Sequence, residues 1–247
     1  MIINYKLLSE FIGWQKAGSF VKKLIRFHGI KSILEIGAGA NPTILPEFIK
    51  TNNLDYVISD VDLTELNKAD DIYRKIILDL SKPNQTVEKR FDLVFSRMTG
   101  EHISDGRKFH ENIFNILNEG GISFHCFSTL YAFPFSANRL LPDFMSKIIL
   151  RKIAPRDKYQ HAKFKAYYDW CRGPSKKMIK RYEQIGFEII EYVGYFGHNY
   201  YQKLPFMNRL ENAKSKLLLK LKLPYLTAYS HILLKKPSVG NPIPGLS

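Results

Sequence analysis

Residues 33–42 read ILEIGAGANP, an apolar run that breaks into Gly37-Ala38-Gly39-Ala40-Asn41. A turn this tight needs positions that tolerate positive φ and leave room above the backbone, which glycine supplies and asparagine approaches. It forms a cradle at the carboxyl end of a strand, where open α/β sheets take their ligands. Two features narrow the ligand. A dinucleotide turn reads G-x-G-x-x-G, and Pro42 stands at the third glycine position. Glu35, in E-x-G-x-G, would repel a pyrophosphate but suits a cationic amino-acid head group. A nicotinamide-dependent dehydrogenase is disfavoured on both counts.

The elements that must position this turn follow from hydrophobic patterning. Leu7, Leu8, Phe11, Ile12, Phe20, Val21, Leu24 and Ile25 recur at helical spacing and predict a helix over 5–28, closed by Gly29. Near-continuous apolar runs at 32–37, 55–60, 75–80, 91–96 and 121–129 fit strands covered on both faces. Helical patterns lie between several of them, most clearly over 108–117, and a helix with Pro42 or Pro46 in its first turn should follow the glycines. Strands alternating with helices predict a doubly wound, mostly parallel α/β fold. After residue 130 the alternation gives way to an aromatic, basic, proline-punctuated segment over 131–173. A helix over 178–186, a strand over 187–194, a basic helix over roughly 208–222, a last strand in AYSHILLKKP and a Pro/Gly tail complete the chain.

The E-x-G-x-G turn resembles motif I of the class I S-adenosylmethionine-dependent methyltransferases, and further segments follow in the family's order. YVISD ends at Asp60, FDLVFS ends at Ser96, the dipeptide Glu101-His102 comes next, and Asn118-Glu119-Gly120-Gly121 matches K-P-G-G loosely. The resemblance covers 30–130 and extends to the last two strands. It implies a Rossmann-like seven-stranded sheet, its last strand antiparallel, with a helical insert between strands 5 and 6. It also implies S-adenosyl-L-methionine as cofactor, held by Glu35, Gly37, Ala38, Gly39, Asp60 or Asp62, Asp79, Leu80 and Ser96. In the family an acidic residue at the second strand end holds the ribose hydroxyls; Asp60 is favoured because it closes the apolar run, with Asp62 as the alternative. Asp79 would accept from the adenine amino group beside the Leu80 N–H, or it caps a turn before Pro83.

Methyl transfer from a sulfonium mainly requires alignment and exclusion of water, with a base where the acceptor is a hydroxyl or ammonium. His102, after the fourth strand, and His198, on a glycine-flanked loop, are the base candidates. His125 sits mid-strand and reads as a core residue or pocket wall. Tyr131, Tyr200 and Tyr201 read as pocket aromatics or as packing. Within the insert Tyr131, Arg139, Trp170 and Arg172 are the acceptor-site candidates, Arg172 as a two-pronged clamp on a carboxylate or phosphate or as an exposed turn arginine. The segments FPFSANRLLP and YYDWCRGP resemble methyltransferases of bacterial glycan assembly.

The whole reads as one domain over 1–247: an N-terminal helix (1–29), a cofactor-binding core (30–130), a substrate lid (131–173), the C-terminal part of the sheet (174–236) and a tail (237–247). The net charge of +14 among 247 residues permits an acidic small acceptor, RNA or an anionic membrane surface. The preferred acceptor is small and acidic or glycan-like. An RNA acceptor is weaker, because no RNA-binding motif is present, and a non-catalytic binding module on the same fold is the third reading. PDFMSKIILRKI, at 142–153, is amphipathic as a helix and suits either core packing or peripheral contact with a membrane. Cys126 and Cys171 form no C-x-x-C pair, so neither metal nor disulfide is expected and a cytoplasmic setting follows, with peripheral contact at the inner membrane face as an option. No secretory leader and no membrane span are expected.

Overall fold

Residues 1–83, 85, 87, 89–130, 165–199 and 201–238 are described by the structure, a computed structural model. Its strands are β1 (Ile2–Leu7), β2 (Ser32–Ile36), β3 (Asp55–Asp60), β4 (Arg74–Ile77), β5 (Phe91–Arg97), β6 (Leu117–Ser128), β7 (Glu188–Phe196) and β8 (Tyr229–Lys235). They form one sheet in the order β1-β7-β8-β6-β5-β2-β3-β4. Every pairing is parallel except those of β8, which runs antiparallel to β6 and β7. The helices are α1 (Ala17–His28), α2 (Pro46–Thr51), α3 (Leu63–Leu66), α4 (Gly106–Ile116), α5 (Lys176–Ile185) and α6 (Pro205–Leu221).

The apolar runs are continuous because both faces of the sheet are covered. Ile33, Ile58 and Phe95 point into one core with Val21 and Ile25 of α1. Their neighbours Leu34, Val57 and Val94 point into the other with Phe109 and Ile113 of α4 and Tyr182 of α5. Alternate residues of a strand face opposite sides, so no polar face is left to mark the period.

The N-terminal helix over 5–28 is corrected. Residues 2–7 form β1, and short 3-10 turns at Leu8–Glu10 and Trp14–Lys16 lead into α1. The sheet therefore has eight strands among the described residues rather than seven. The reason is long-range. The outer edge of β7 takes Ile2 opposite Glu191 through Leu7 opposite Phe196, and β-branched Ile2 and Ile3 suit a strand. Phe11, whose spacing suggested a helical stripe, instead packs against Tyr195 and Tyr229, at 5.0 and 4.9 Å between ring centres. Gly29 closes α1 as expected, at φ 63°. The third apolar run gives a shorter strand: β4 stops at Ile77, and Leu78 still donates to the Asp60 carbonyl at 3.1 Å.

Candidate active site

The carboxyl ends of β2, β3 and β5 lie side by side, and the glycine turn leaves β2 there. Gly37 and Gly39 have φ of 68° and 49°, and they alone within 37–42 take positive values, Asn41 included among those that do not. A Cβ on Gly37 would run into the Thr99 side chain, and one on Gly39 would lie 3.5 Å from Asp60 Oδ2. The turn is thus bare on the side that faces Asp60. Ala38 is buried, and its N–H donates to the Ser59 carbonyl at 3.0 Å, which ties the turn to β3. That N–H is therefore taken by the fold. Pro46 occupies the first turn of α2, one of the two expected positions.

Glu35 also changes role. It is 1% exposed. Its oxygens accept from the Thr43 N–H at 2.9 and 3.2 Å, from the Thr43 hydroxyl and from the Tyr56 hydroxyl. Burial pushes its pKa up, and these bonds work against that rise. The carboxylate braces the segment after the glycines through Thr43 and ties it to Tyr56 of β3. Thr43 and Tyr56 are supporting residues that sequence reading missed.

The two aspartates after β3 separate cleanly. Asp62 is the N-cap of α3, accepting from the N–H groups of Thr64 and Glu65 at 2.8 and 3.3 Å. Asp60 accepts from the Asp62 N–H at 3.0 Å through Oδ1, while Oδ2 faces the space above Gly39. Asp60 is therefore the ligand candidate and Asp62 a structural cap. Asp79 is half-buried. Despite that burial, hydrogen bonds from the Ser81 N–H and hydroxyl, at 3.1 and 2.6 Å, and Lys82 at 3.4 Å hold its pKa below the ordinary value. Its turn-capping role is thus realised. Leu80 is buried and its carbonyl accepts from Asn112 at 2.8 Å.

At the end of β5, Ser96 turns away from the ligand edge. It is 1% exposed, with its Oγ 2.7 Å from His125 Nδ1, and His125 Nε2 lies 2.5 Å from the Ser123 hydroxyl. Burial pushes the His125 pKa down to about 3, so a neutral ring links two hydroxyls. Ser96 and His125 belong to this internal chain. The chain borders a small cavity shared with His110, Trp170, Cys171 and Tyr182.

Beyond Ser96 the chain swings over the edge. Met98 adopts φ 54°, unusual for a side chain of that size. Thr99 then backs onto Gly37, and Arg97 donates to the Asn41 carbonyl at 3.0 Å, bridging β5 to the glycine turn. A 3-10 turn, Gly100–His102, carries the catalytic candidates. His102 Nδ1 lies 3.1 Å from the Lys165 carbonyl. Glu101, unnoticed as a functional residue in sequence except as half of a dipeptide, is 6% exposed. Its Oε1 accepts from Ser128 at 3.0 Å, its carbonyl accepts from the N–H groups of Tyr167 and Tyr168, and its Oε2 is buried without a hydrogen-bond partner. Burial raises its pKa.

Two acceptor candidates turn out to hold the fold. Trp170 is 9% exposed, stacked on His110 at 5.5 Å and edge-on to Tyr182 at 5.2 Å. Arg172 donates to the carbonyls of Tyr168 and Cys171, closing its own loop. Both corrections have one cause: residues 165–172 form the cover of the α4–α5 core. Tyr131 and Arg139, the 142–153 helix and Tyr200 lie outside the described residues. His198 is buried beyond β7 beside Tyr201 and 3.3 Å from Glu211. β7 is three strand positions from β5 and four from β2, roughly 14 and 19 Å at strand spacing, so His198 and His102 leave the sheet from well-separated strands.

No family model matches the chain, and no curated protein matches it. Solved structures do. An S-adenosylmethionine-dependent methyltransferase from Clostridium acetobutylicum is 13% identical over 94% of this chain and 95% of that one, with a TM-score of 0.54. Phosphoethanolamine N-methyltransferase 2 of Haemonchus contortus, in complex with S-adenosyl-L-methionine, is 16% identical over 92% of this chain and 54% of its own, at 0.53. The chain thus spans about half the length of that enzyme. The N-methyltransferase NodS of Bradyrhizobium japonicum, with S-adenosyl-L-homocysteine, is 12% identical over 91% and 87%, at 0.51. The protein has the fold of the class I S-adenosylmethionine-dependent methyltransferases.

Proposed function

We propose that this protein transfers the methyl group of S-adenosyl-L-methionine to a small acceptor, acidic or glycan-like. The observation that carries the reading is the bare turn at Gly39, with Asp60 Oδ2 facing it at the carboxyl edge. That cradle fits the cofactor. The turn leaves space a Cβ would fill, and Asp60 offers a free carboxylate oxygen to a ribose diol, a strong charge-assisted acceptor. Glu35, Thr43, Tyr56 and Thr99 hold the turn in shape, and Arg97 places positive charge beside it. The family resemblance assigns Asp79 and Leu80, at the end of the third run, to the adenine. Bound there, the cofactor supplies an activated methyl group on a sulfonium.

The acceptor side is assigned to the 3-10 turn after β5. Glu101 and His102 are the groups there that can take a proton from a hydroxyl or ammonium. Burial raises the Glu101 pKa, and its Oε2 has a place for a donor. The +14 charge supports an acidic acceptor. So does the name of the Haemonchus protein, which specifies a small phosphate-bearing molecule.

The test is calorimetric titration with S-adenosylhomocysteine, beside NAD and a Gly39→Arg variant, whose Cβ has room beside Asp60. Micromolar binding to S-adenosylhomocysteine alone, lost in the variant while its melting temperature stays near that of the wild type, is expected. A folded protein that does not bind would replace this reading with the non-catalytic module.

A further inference from the structure

α6 wears its amphipathicity inside out. Its buried residues are Glu211 and Ser215. Glu211 is held by His198 at 3.3 Å and by Lys214, and Ser215 donates to it at 3.3 Å. Although burial opposes it, the bonds from His198 and Lys214 draw the Glu211 pKa down to about 2, so the charge is kept and neutralised against the protein. The apolar residues point outward: Phe206 is 72% exposed, Leu210 52%, Leu217 56% and Leu221 54%. At 100° per residue these four fall within one narrow stripe. Arg209, Lys216 and Lys220 lie along one side of it and Lys214 along the other. Tyr225 and Leu226, also exposed, continue the patch past the helix end.

A surface stripe of this kind in a folded protein marks an interaction face, and charge selects the occupant. From Asn199 to Lys236, Glu211 is the only carboxylate in the sequence, and it faces inward. The outward face therefore presents apolar side chains flanked by cations alone. A second copy of this face would bring like charges together. The chain's own 131–164 segment is a poor cover for the same reason, since it carries seven Lys and Arg against two Asp. An anionic lipid surface satisfies both parts, taking the stripe into its headgroup boundary and pairing the flanking cations.

We propose that α6 is an interfacial helix that docks the protein on an anionic membrane. The topology gives this a consequence. β7 ends at Phe196 and β8 begins at Tyr229, with Tyr195 opposite Tyr229, so residues 197–228 leave and rejoin the sheet at its carboxyl edge. Ser215 packs over Gly197 at that edge, 3.0 Å from where its Cβ would be. A docked α6 therefore brings the edge that carries the glycine turn toward the lipid. The proposal stands whether or not the protein transfers methyl groups.

The experiment is co-sedimentation of the full chain with vesicles of phosphatidylcholine alone or mixed with phosphatidylglycerol. Binding to the mixed vesicles only, weakened by salt, is expected. It should fall at least tenfold in L210S/L217S and in K216E/K220E, both of which change exposed side chains and should melt as the wild type does. Undiminished binding by either folded variant would move docking to another face and overturn the proposal. So would failure of the wild type to bind, equal binding to phosphatidylcholine alone, or a dimer that only the variants break.

Discussion

On the β2–β3 half of the carboxyl edge, the partners that shape the site are close in sequence. Glu35 meets Thr43 and Tyr56 at separations of 8 and 21 residues, and Asp62 caps the helix that begins at the next residue. On the β5–β8 half they are distant. His102 meets Lys165 and Gly106 meets Asp169, each 63 residues away, Thr129 meets Thr227 at 98 and Tyr5 meets Pro174 at 169. The first half is a local device, with glycines, caps and a braced carboxylate making one turn. The second is assembled by segments that return from long excursions, so its residues serve packing and chemistry at once. Substitutions should therefore separate function from stability on the first half and entangle them on the second.

The largest effect should come from the second half. Trp170→Ala removes a ring wedged among His110, Tyr182 and Gly106. Truncating a buried aromatic of this kind costs about 3–5 kcal/mol. Denaturant unfolding should show that loss, while the affinity for S-adenosylhomocysteine, measured on the folded fraction, stays within about twofold because the residue is not part of the turn. A stable variant would return Trp170 to the acceptor pocket.

On the first half two neighbouring aspartates should part company. Asp60→Ala should weaken S-adenosylhomocysteine binding by roughly tenfold to a hundredfold, the worth of hydrogen bonds to a charged group at about 1.5–3 kcal/mol, with little change in melting temperature. Asp62→Ala should do the reverse, costing about 1 kcal/mol of stability as a lost N-cap and leaving affinity alone. Titration and thermal melts of both variants decide it. If the two trade places, the assignment of the ribose acceptor trades with them.

The same division explains what the residues alone revealed. The glycine turn and the central strands follow from local pattern, and the structure places them there with shifted ends; the antiparallel last strand is what the family resemblance implied. β1 escaped because its identity depends on the free edge of β7, nearly two hundred residues away in the pairing of Ile2 with Glu191. Ser96, Trp170 and Arg172 carry side chains suited to ligands, but burial and backbone carbonyls claim them, and neither is visible in a one-dimensional pattern. Asp60 and Asp62 were both open because a cap and a ligand acceptor look alike until the helix start is fixed. Glu101 left one usable signal: a carboxylate between Gly100 and His102, four residues after a mostly buried strand.

Glu101 gives the smallest effect and the sharpest probe of the second half. Its pKa is raised by burial from the ordinary 4.5. The folded state therefore holds the proton to higher pH than the unfolded state does. Stability is lost as pH climbs from about 4.5 through the folded value, with a slope of up to about 1.4 kcal/mol per unit. Glu101→Gln keeps the carbonyl that accepts from Ser128 and cannot ionise. The variant should match the wild type near pH 4.5, and its melting temperature should exceed that of the wild type by a growing margin as pH rises, since ionisation leaves a buried charge with Oε2 unpaired. A difference that is flat with pH would mean that the carboxylate titrates as an ordinary surface group and has no special place at the edge. A gap that widens with pH would identify a stability cost retained where the acceptor's proton must go, as expected of a functional carboxylate and not of a packing residue.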